Sequence, residues 1–522
     1  MSILSDAFKR RKFAPQSKQF DELIQEQKQI NYGPVVNARL PVSVVGGDGN
    51  GENHLISSFN DIKLKEQLRK TLVSINYFEP TDVQKCVIPL IQKTTNDILC
   101  IAATGSGKSA SFLIPIINQL QGLRLNPNGS VHAKNTNSPL AIIIAHTKEL
   151  IDQLYNLAKT LALETEVGVA YARGQLPWPE SRKQLLDGCD ILVITPGRLR
   201  QYLDDGWTLV DSIHFIVIDE ADKFIMEVDF ATLLQDLFNK MHKQNNNHFR
   251  TFMFSATLAA DADAVIHKYL KKGFYKVNVG TPNQAVAHVC QRICKVDAKF
   301  GHSPRIKMLI QLVESISTKV EPLNGEIFCY DTQRTLIFVN TARISDRIAI
   351  IFSDKGFRAM SINSHRLMEQ RCKAVEDFKA GKWNILIGTD VIARGMNFPR
   401  VKNIILYELP PVERYQEYVH RIGRTGRIGT ENGCAYVFFD PNSRNDEMQT
   451  EFLIEQLENS KQRVPNFLRE MQERLSEVRS KFTNDSSSAY QHSISQSEQL
   501  DYDTEWENEN IKNKFSNSIW SL

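Results

Sequence analysis

The sequence predicts an α/β protein of two tandem domains, each a parallel sheet with helices on both faces, flanked by flexible N- and C-terminal extensions. Three observations carry this expectation. Short apolar runs of strand length alternate with longer amphipathic stretches, in two separate series. A glycine-rich, phosphate-binding string follows the first run, and a pair of acids ends a later run of the same series. Such βαβα alternation is the pattern of a sheet buried on both faces.

Residues 1–56 are polar, hold no sustained period and read as a flexible extension. The first domain, residues 57–280, carries the runs Asp97–Ala103, Ala141–Ala145, Asp190–Ile194, Phe215–Ile218 and Thr251–Phe254. The alternation pauses over a linker at 281–294. It resumes in a second domain, 295–445, with Thr335–Val339, Ala359–Ile362, Ile385–Thr389, Asn403–Tyr407 and Cys434–Phe438. Thr318–Thr332 reads as a surface insertion. Residues 446–483 form a helical extension, and 484–522, rich in Ser, Asn, Gln and acids and carrying Trp506 and Trp520, a disordered tail.

Composition closes several alternatives. With 42% hydrophobic and 24% charged residues, wholesale disorder is excluded. A net charge of +3, from 63 basic against 60 acidic residues, excludes a polycation but not a local basic channel. The 8 cysteines include no CxxC pair, so neither a disulfide scaffold nor a zinc site is expected, and a reducing compartment fits. No apolar run approaches the ~20 residues of a membrane span, and the N-terminus lacks the apolar core of a secretory signal.

Two strings carry chemistry. Ala102-Ala103-Thr104-Gly105-Ser106-Gly107-Lys108-Ser109 lies between a strand-like and a helix-like segment. Glycines let backbone N–H groups turn toward phosphate oxygens, and the helix start adds partial positive charge. Lys108 is placed to reach the β- and γ-phosphates and the Ser109 hydroxyl to sit on Mg²⁺. Phe215–Ile218 runs into Asp219-Glu220-Ala221-Asp222, so the acids project at the carboxyl edge of the sheet. Asp219 is expected to hold Mg²⁺ and Glu220 to orient and deprotonate the attacking water.

With these strings in order, the chain from Ser57 to about Arg469 resembles the DEAD-box RNA helicases of superfamily 2, closest to the Vasa/Ded1 group, and the resemblance implies RecA-like domains. Tyr77-Phe78-Glu79-Pro80-Thr81-Asp82-Val83-Gln84, with Phe59 upstream, resembles the motif in which Gln84 reads the adenine edge and Tyr77 stacks on the ring. Ser255-Ala256-Thr257 resembles the motif that couples ATP hydrolysis to strand separation, and the resemblance implies Ser255, Thr257, Asp222 and Arg421 as coupling residues. Thr147, Lys148, Thr195, Pro196, Gly197, Arg198, Asn340, Thr341, Arg371 and Thr389 fall on the RNA-side motifs. His420-Arg421-Ile422-Gly423-Arg424-Thr425-Gly426-Arg427 is the most specific string: it implies Arg424 and Arg427 as arginine fingers, and His420 with Arg421 as links between the nucleotide site and the acidic motif. Asn397 stands where the family has an Asp that contacts the ribose; His146 and Lys148 replace Pro and Arg. The resemblance implies an ATP- and Mg²⁺-dependent RNA helicase acting on single strands or short duplexes with weak sequence preference. It also implies a monomer without membrane attachment, a role in messenger-RNA regulation or germline small-RNA silencing, and a cytoplasmic location that includes ribonucleoprotein granules, with docking through the tails. The alternative is a slow-turnover, ATP-gated RNA clamp that acts as a scaffold.

Overall fold

In the computed structural model the described residues are 41–47, 54–103, 105–124, 138–174, 176–186, 188–224, 228–243, 246, 248–257, 262–280, 289–296, 302–320, 330–393, 398, 400–426 and 433–484. The first sheet has eight strands: Val42–Gly46 (β1), Ile98–Ala102 (β2), Ala141–Ile144 (β3), Val169–Ala172 (β4), Ile191–Ile194 (β5), Phe215–Asp219 (β6), Arg250–Ser255 (β7) and Tyr275–Val279 (β8). Their spatial order is β1-β8-β2-β7-β6-β3-β5-β4. Every pair is parallel except β1 with β8. β2, β3, β5, β6 and β7 are buried at every position, which is why their sequences run apolar without alternation. Successive side chains go to opposite faces. Ile98 and Cys100 join the layer under the helices Asp82–Lys93 and Lys108–Arg124, while Leu99 and Ile101 join the opposite layer with Tyr202, Leu234 and Leu237.

β1 falls in a segment the sequence places in a flexible extension. It is instead an antiparallel edge strand, Val42 facing Val279 and Gly46 facing Tyr275. Only Val44 of its side chains is buried, so its five residues give no apolar run.

Cys290–Lys295 (β9) is likewise a strand where a linker is expected. Ser317–Lys319 (β10) and Tyr330–Thr332 (β11) form a two-stranded antiparallel ribbon at the ends of the expected insertion, whose residues 321–329 lie outside the described ones. Thr335–Phe338 (β12), Ala359–Ile362 (β13), Ile385–Gly388 (β14), Asn403–Leu406 (β15) and Cys434–Phe439 (β16) complete a parallel sheet, in the order β13-β14-β12-β15-β16-β9. Leu309, Val313 and Phe357 pack on it against Ile337, Ile385 and Ile387.

Both sheets belong to one compact unit ending at Leu468. Of the second unit, Arg469–Leu522, the described residues are helical. Among the described residues no helix is long and apolar enough to cross a membrane.

Candidate active site

β2 delivers the chain into the phosphate loop, and the loop's backbone selects glycine. Gly105 and Gly107 lie at φ +80° and +93°, where side chains are strained. At Gly107 a Cβ would also stand 2.7 Å from Gln84 Nε2 and 2.8 Å from Thr81 Oγ1. The close approach follows from the helix start at Asp82. Thr81 N–H donates to Gln84 Oε1 (3.0 Å), Gln84 N–H donates to Thr81 Oγ1 (3.4 Å), and Gln84 Nε2 donates to the Gly107 carbonyl (3.3 Å). Gln84 is therefore a bracket between its helix and the phosphate loop, with one amide hydrogen left for a base. Gly107→Ala is expected to lower ATP affinity at least about a hundredfold, since strain and clash fall on the loop itself. Equilibrium binding of a fluorescent ATP analogue checks this.

Lys108 Nζ donates to the carbonyls of Ala102 (2.6 Å) and Ala103 (3.1 Å). Burial holds its ammonium below the ordinary lysine range, opposed by Asp219, Asp222 and Glu220. Burial likewise pushes the Asp219 carboxyl up to about 7, with Lys108 opposing. Glu220 follows at φ +54°, a strained position for a glutamate, and its N–H donates to Asp219 Oδ1 (3.0 Å). Glu220 Oε2 and Ser106 Oγ are buried without hydrogen-bond partners. Orphaned oxygens beside a carboxylate, together with the loop cradle, fit a triphosphate with a divalent cation. No group of three His, Cys, Asp or Glu among the described residues could hold a metal alone, so a cation here would depend on phosphate oxygens as ligands.

Asp222 is the junction of the site. It accepts from Ser255 Oγ (2.8 Å) and Thr257 Oγ1 (3.0 Å), and His420 Nε2 of the second lobe lies 3.0 Å from its Oδ2. The His420 and Asp222 side chains are 1% and 4% exposed. Arg424 is buried nearby in sequence, its Nε donating to the His420 carbonyl (3.3 Å). Thr104, Asn397 and Arg427 lie outside the described residues. Phe59 is buried, and Tyr77 is half-buried against the same core.

One expected role is corrected. Arg421 does not reach the acidic motif. It donates to Asp390 Oδ1 (2.9 Å), the Glu408 carbonyl (3.1 Å) and Asn340 Oδ1 (3.0 Å), all within its own lobe. Asn340 Nδ2 donates in turn to the Leu409 carbonyl (2.8 Å), so one amide hydrogen braces this lobe while the residue itself is exposed. Asp390, legible only as part of the string that begins at Thr389, and Glu408, which sequence reasoning passed over, are the anchors of this knot.

The remaining RNA-side residues divide. A groove of about 460 Å³ is lined by His146, Lys148, Gly174, Thr195, Pro196, Gly197, Arg198 and Gln201, so five expected residues come together. Arg198 braces its wall, donating to Gln201 Oε1 (3.0 Å) and to the carbonyls of Arg173 (3.2 Å) and Leu176 (3.1 Å). Thr147 and Thr341 cap the helices Lys148–Leu161 and Ala342–Asp354. The helix Pro196–Asp204 starts without a side-chain cap, which leaves its first N–H groups open to an anion. The Thr389 carbonyl accepts from Ile392 N–H (3.0 Å).

Arg371 makes a second bridge between the lobes, Nη1 lying 3.0 Å from Glu149 Oε1 with both side chains 13% exposed. Glu149 was legible only as part of the string around Lys148. Reversing either charge, Arg371→Glu or Glu149→Arg, places like charges in contact and is expected to lower RNA-stimulated turnover about tenfold or more. The double reversal recovers part of it, and steady-state phosphate release on the four proteins checks both statements.

Residues 81–265 match the DEAD/DEAH box helicase domain, and residues 318–429 match the helicase conserved C-terminal domain. The ATP-dependent RNA helicase vasa of Drosophila melanogaster is 32% identical over 430 residues, covering 82% of this chain and 59% of that protein. The ATP-dependent RNA helicase glh-3 of Caenorhabditis elegans is 30% identical over 423 residues, 79% of this chain and 55% of that one. The chain thus spans little more than half the length of the curated relatives it matches. Among solved structures, S. cerevisiae Dbp5 bound to RNA and ADP BeF3 superposes with a TM-score of 0.61 at 19% identity, covering 80% of this chain and 99% of that one. Mss116p bound to ssRNA and AMP-PNP gives 0.63 at 22%, covering 80% and 79%. Both likenesses concern the fold, two RecA-like domains in tandem. Matched in both halves and in the same order, this chain belongs to the DEAD-box helicase family.

Proposed function

We propose that the chain binds ATP with Mg²⁺ and single-stranded RNA across its two lobes, and couples ATP hydrolysis to local separation of short RNA duplexes or remodelling of RNA–protein complexes. The observation that carries this reading is Asp222, whose one carboxylate joins the acidic strand end, the Ser255–Thr257 turn and His420 of the other lobe.

The chemistry follows from the residues in place. Lys108 exchanges the Ala102 and Ala103 carbonyls for phosphate oxygens, a trade of weak neutral acceptors for charged ones. The start of the helix Lys108–Arg124 adds its dipole. Asp219 and Ser109 would hold Mg²⁺, which when bound neutralises charge on the phosphates. Glu220, fixed by its strained backbone with one oxygen unsatisfied, orients the attacking water and takes its proton. Arg424 and Arg427 spread positive charge over the departing phosphoryl group.

RNA phosphates lie along the Lys148–Arg198 groove and on the open start of the helix at Pro196. Such binding reads backbone rather than bases, so sequence preference is weak and salt dependence steep. The 2′-hydroxyl is the group that can separate RNA from DNA. Fluorescence anisotropy of labelled RNA with a non-hydrolysable ATP analogue tests this. RNA is expected to compete at least about tenfold better than DNA of the same sequence; equal competition contradicts the reading. Action on messenger RNA or germline small-RNA pathways, in cytoplasmic granules, is the finer proposal, supported by the likeness to vasa. Crosslinking the protein to RNA in its own cells and sequencing that RNA tests it.

A further inference from the structure

The site described above uses none of the cysteines, yet two of them face each other across adjacent strands. β9 and β16 are parallel, and their first residues are in register, Cys290 opposite Cys434. The backbone there is tied on both sides: Cys290 N–H donates to the Gly433 carbonyl (2.8 Å) and Cys434 N–H to the Lys402 carbonyl (2.9 Å). Registered residues on neighbouring strands have Cα atoms about 4.8 Å apart, inside the roughly 4.4–6.8 Å span that a disulfide bridges. Side-chain direction agrees. Two residues further along, Arg292 of β9 lies over the ring of Tyr436 of β16, 5.8 Å from its centre, so this face of the two strands is shared. With a period of two, Cys290 and Cys434 share it as well. The two thiols and the Arg292 guanidinium are close enough to act on one another electrostatically.

The other described thiols lack this arrangement. Cys294, on the same face of β9, stands opposite Phe438. Cys86, Cys100 and Cys189 are buried. Cys372 is exposed, on the helix Met368–Lys379.

We propose that Cys290 and Cys434 form an oxidant-sensitive dithiol, modified by hydrogen peroxide to a disulfide that staples the first strand of the second lobe to the strand following the His420–Arg427 string. Cys290 is exposed, and Arg292 lies two residues along on the same strand face, so of the two thiols it meets oxidant first. Its sulfur attacks one peroxide oxygen; an S–O bond forms, the O–O bond breaks, and water and a sulfenic acid result. Cys434, half-buried beside it, then attacks that sulfur; the S–S bond forms, the S–O bond breaks and a second water leaves. Two thiols lose two electrons and two protons, and one peroxide becomes two waters.

The test uses the full chain. It is treated with hydrogen peroxide, its remaining thiols are alkylated, and it is digested without reductant for mass mapping. The expected result is a linked peptide pair containing Cys290 and Cys434, two hydrogens lighter than the separate peptides and lost on reduction, while Cys372 is alkylated. Cys434→Ser should leave Cys290 as a sulfenic acid that dimedone labels, and Cys290→Ser should abolish the link. The oxidised wild type should melt a few degrees higher, because the bond closes a loop of roughly 140 residues. If Cys290 and Cys434 are alkylated as fully as Cys372 after peroxide, or if Cys290 is linked to another cysteine, the proposal is overturned.

Discussion

Glu220→Gln is expected to reduce ATP hydrolysis by about 10²–10⁴-fold while ATP and RNA still bind, because general-base catalysis contributes a factor of that size. The substitution keeps the shape of the side chain and removes the proton acceptor. Glu220 Oε2 has no hydrogen-bond partner, so the exchange breaks no bond made by that oxygen. Binding should therefore be kept, and RNA trapped in the unreacted complex. Lys108→Ala reaches the same loss of turnover by another route. It removes the ammonium that the Ala102 and Ala103 carbonyls hold beside the loop, so ATP affinity falls with the rate. Measured together, ATP affinity and turnover separate the two: one variant loses turnover alone, the other loses both.

The second large effect is expected at Asp222. His420→Ala removes a buried contact to a carboxylate that also holds Ser255 and Thr257. A hydrogen bond to a charged group is worth about 1.5–3 kcal/mol. If it is made only when the lobes meet, that energy falls on closure, and RNA-stimulated turnover drops by about ten- to a hundredfold. Asp222→Asn should do at least as much, since three partners lose their charged acceptor. Arg421→Ala acts differently. Its guanidinium is fully buried among Asp390, Glu408 and Asn340, so its loss removes three donated bonds, leaves Asp390 with Arg414 alone (3.4 Å) and should lower thermal stability as well as rate. A melting curve distinguishes the two: His420→Ala should melt near wild type, Arg421→Ala well below it.

That contrast also marks where the sequence stops being legible. Strands buried on both faces read directly as apolar runs, and the phosphate loop and the acids after β6 read from spacing, because backbone geometry dictates both. β1 and β9 did not read: each is buried at only some positions, and Ser43, Val45 and Gly46 of β1 and Cys290, Arg292 and Lys295 of β9 are exposed. Side-chain direction was the other gap. His420 and Arg421 are neighbours on one helix and so point about 100° apart; one meets Asp222 across the cleft and the other turns into its own lobe. Asn340 was assigned to RNA by its string, but its position between Arg421 and Leu409 was not contained in that string.

The central claim is that one site, assembled from both lobes, links ATP hydrolysis to RNA. Steady-state phosphate release by the wild-type chain, with and without single-stranded RNA, tests it most directly. RNA is expected to raise the rate by about tenfold or more, a gain of at least about 1.4 kcal/mol in the barrier, and the gain should vanish in Glu220→Gln. The same rate with and without RNA, or full turnover by Glu220→Gln, would contradict it.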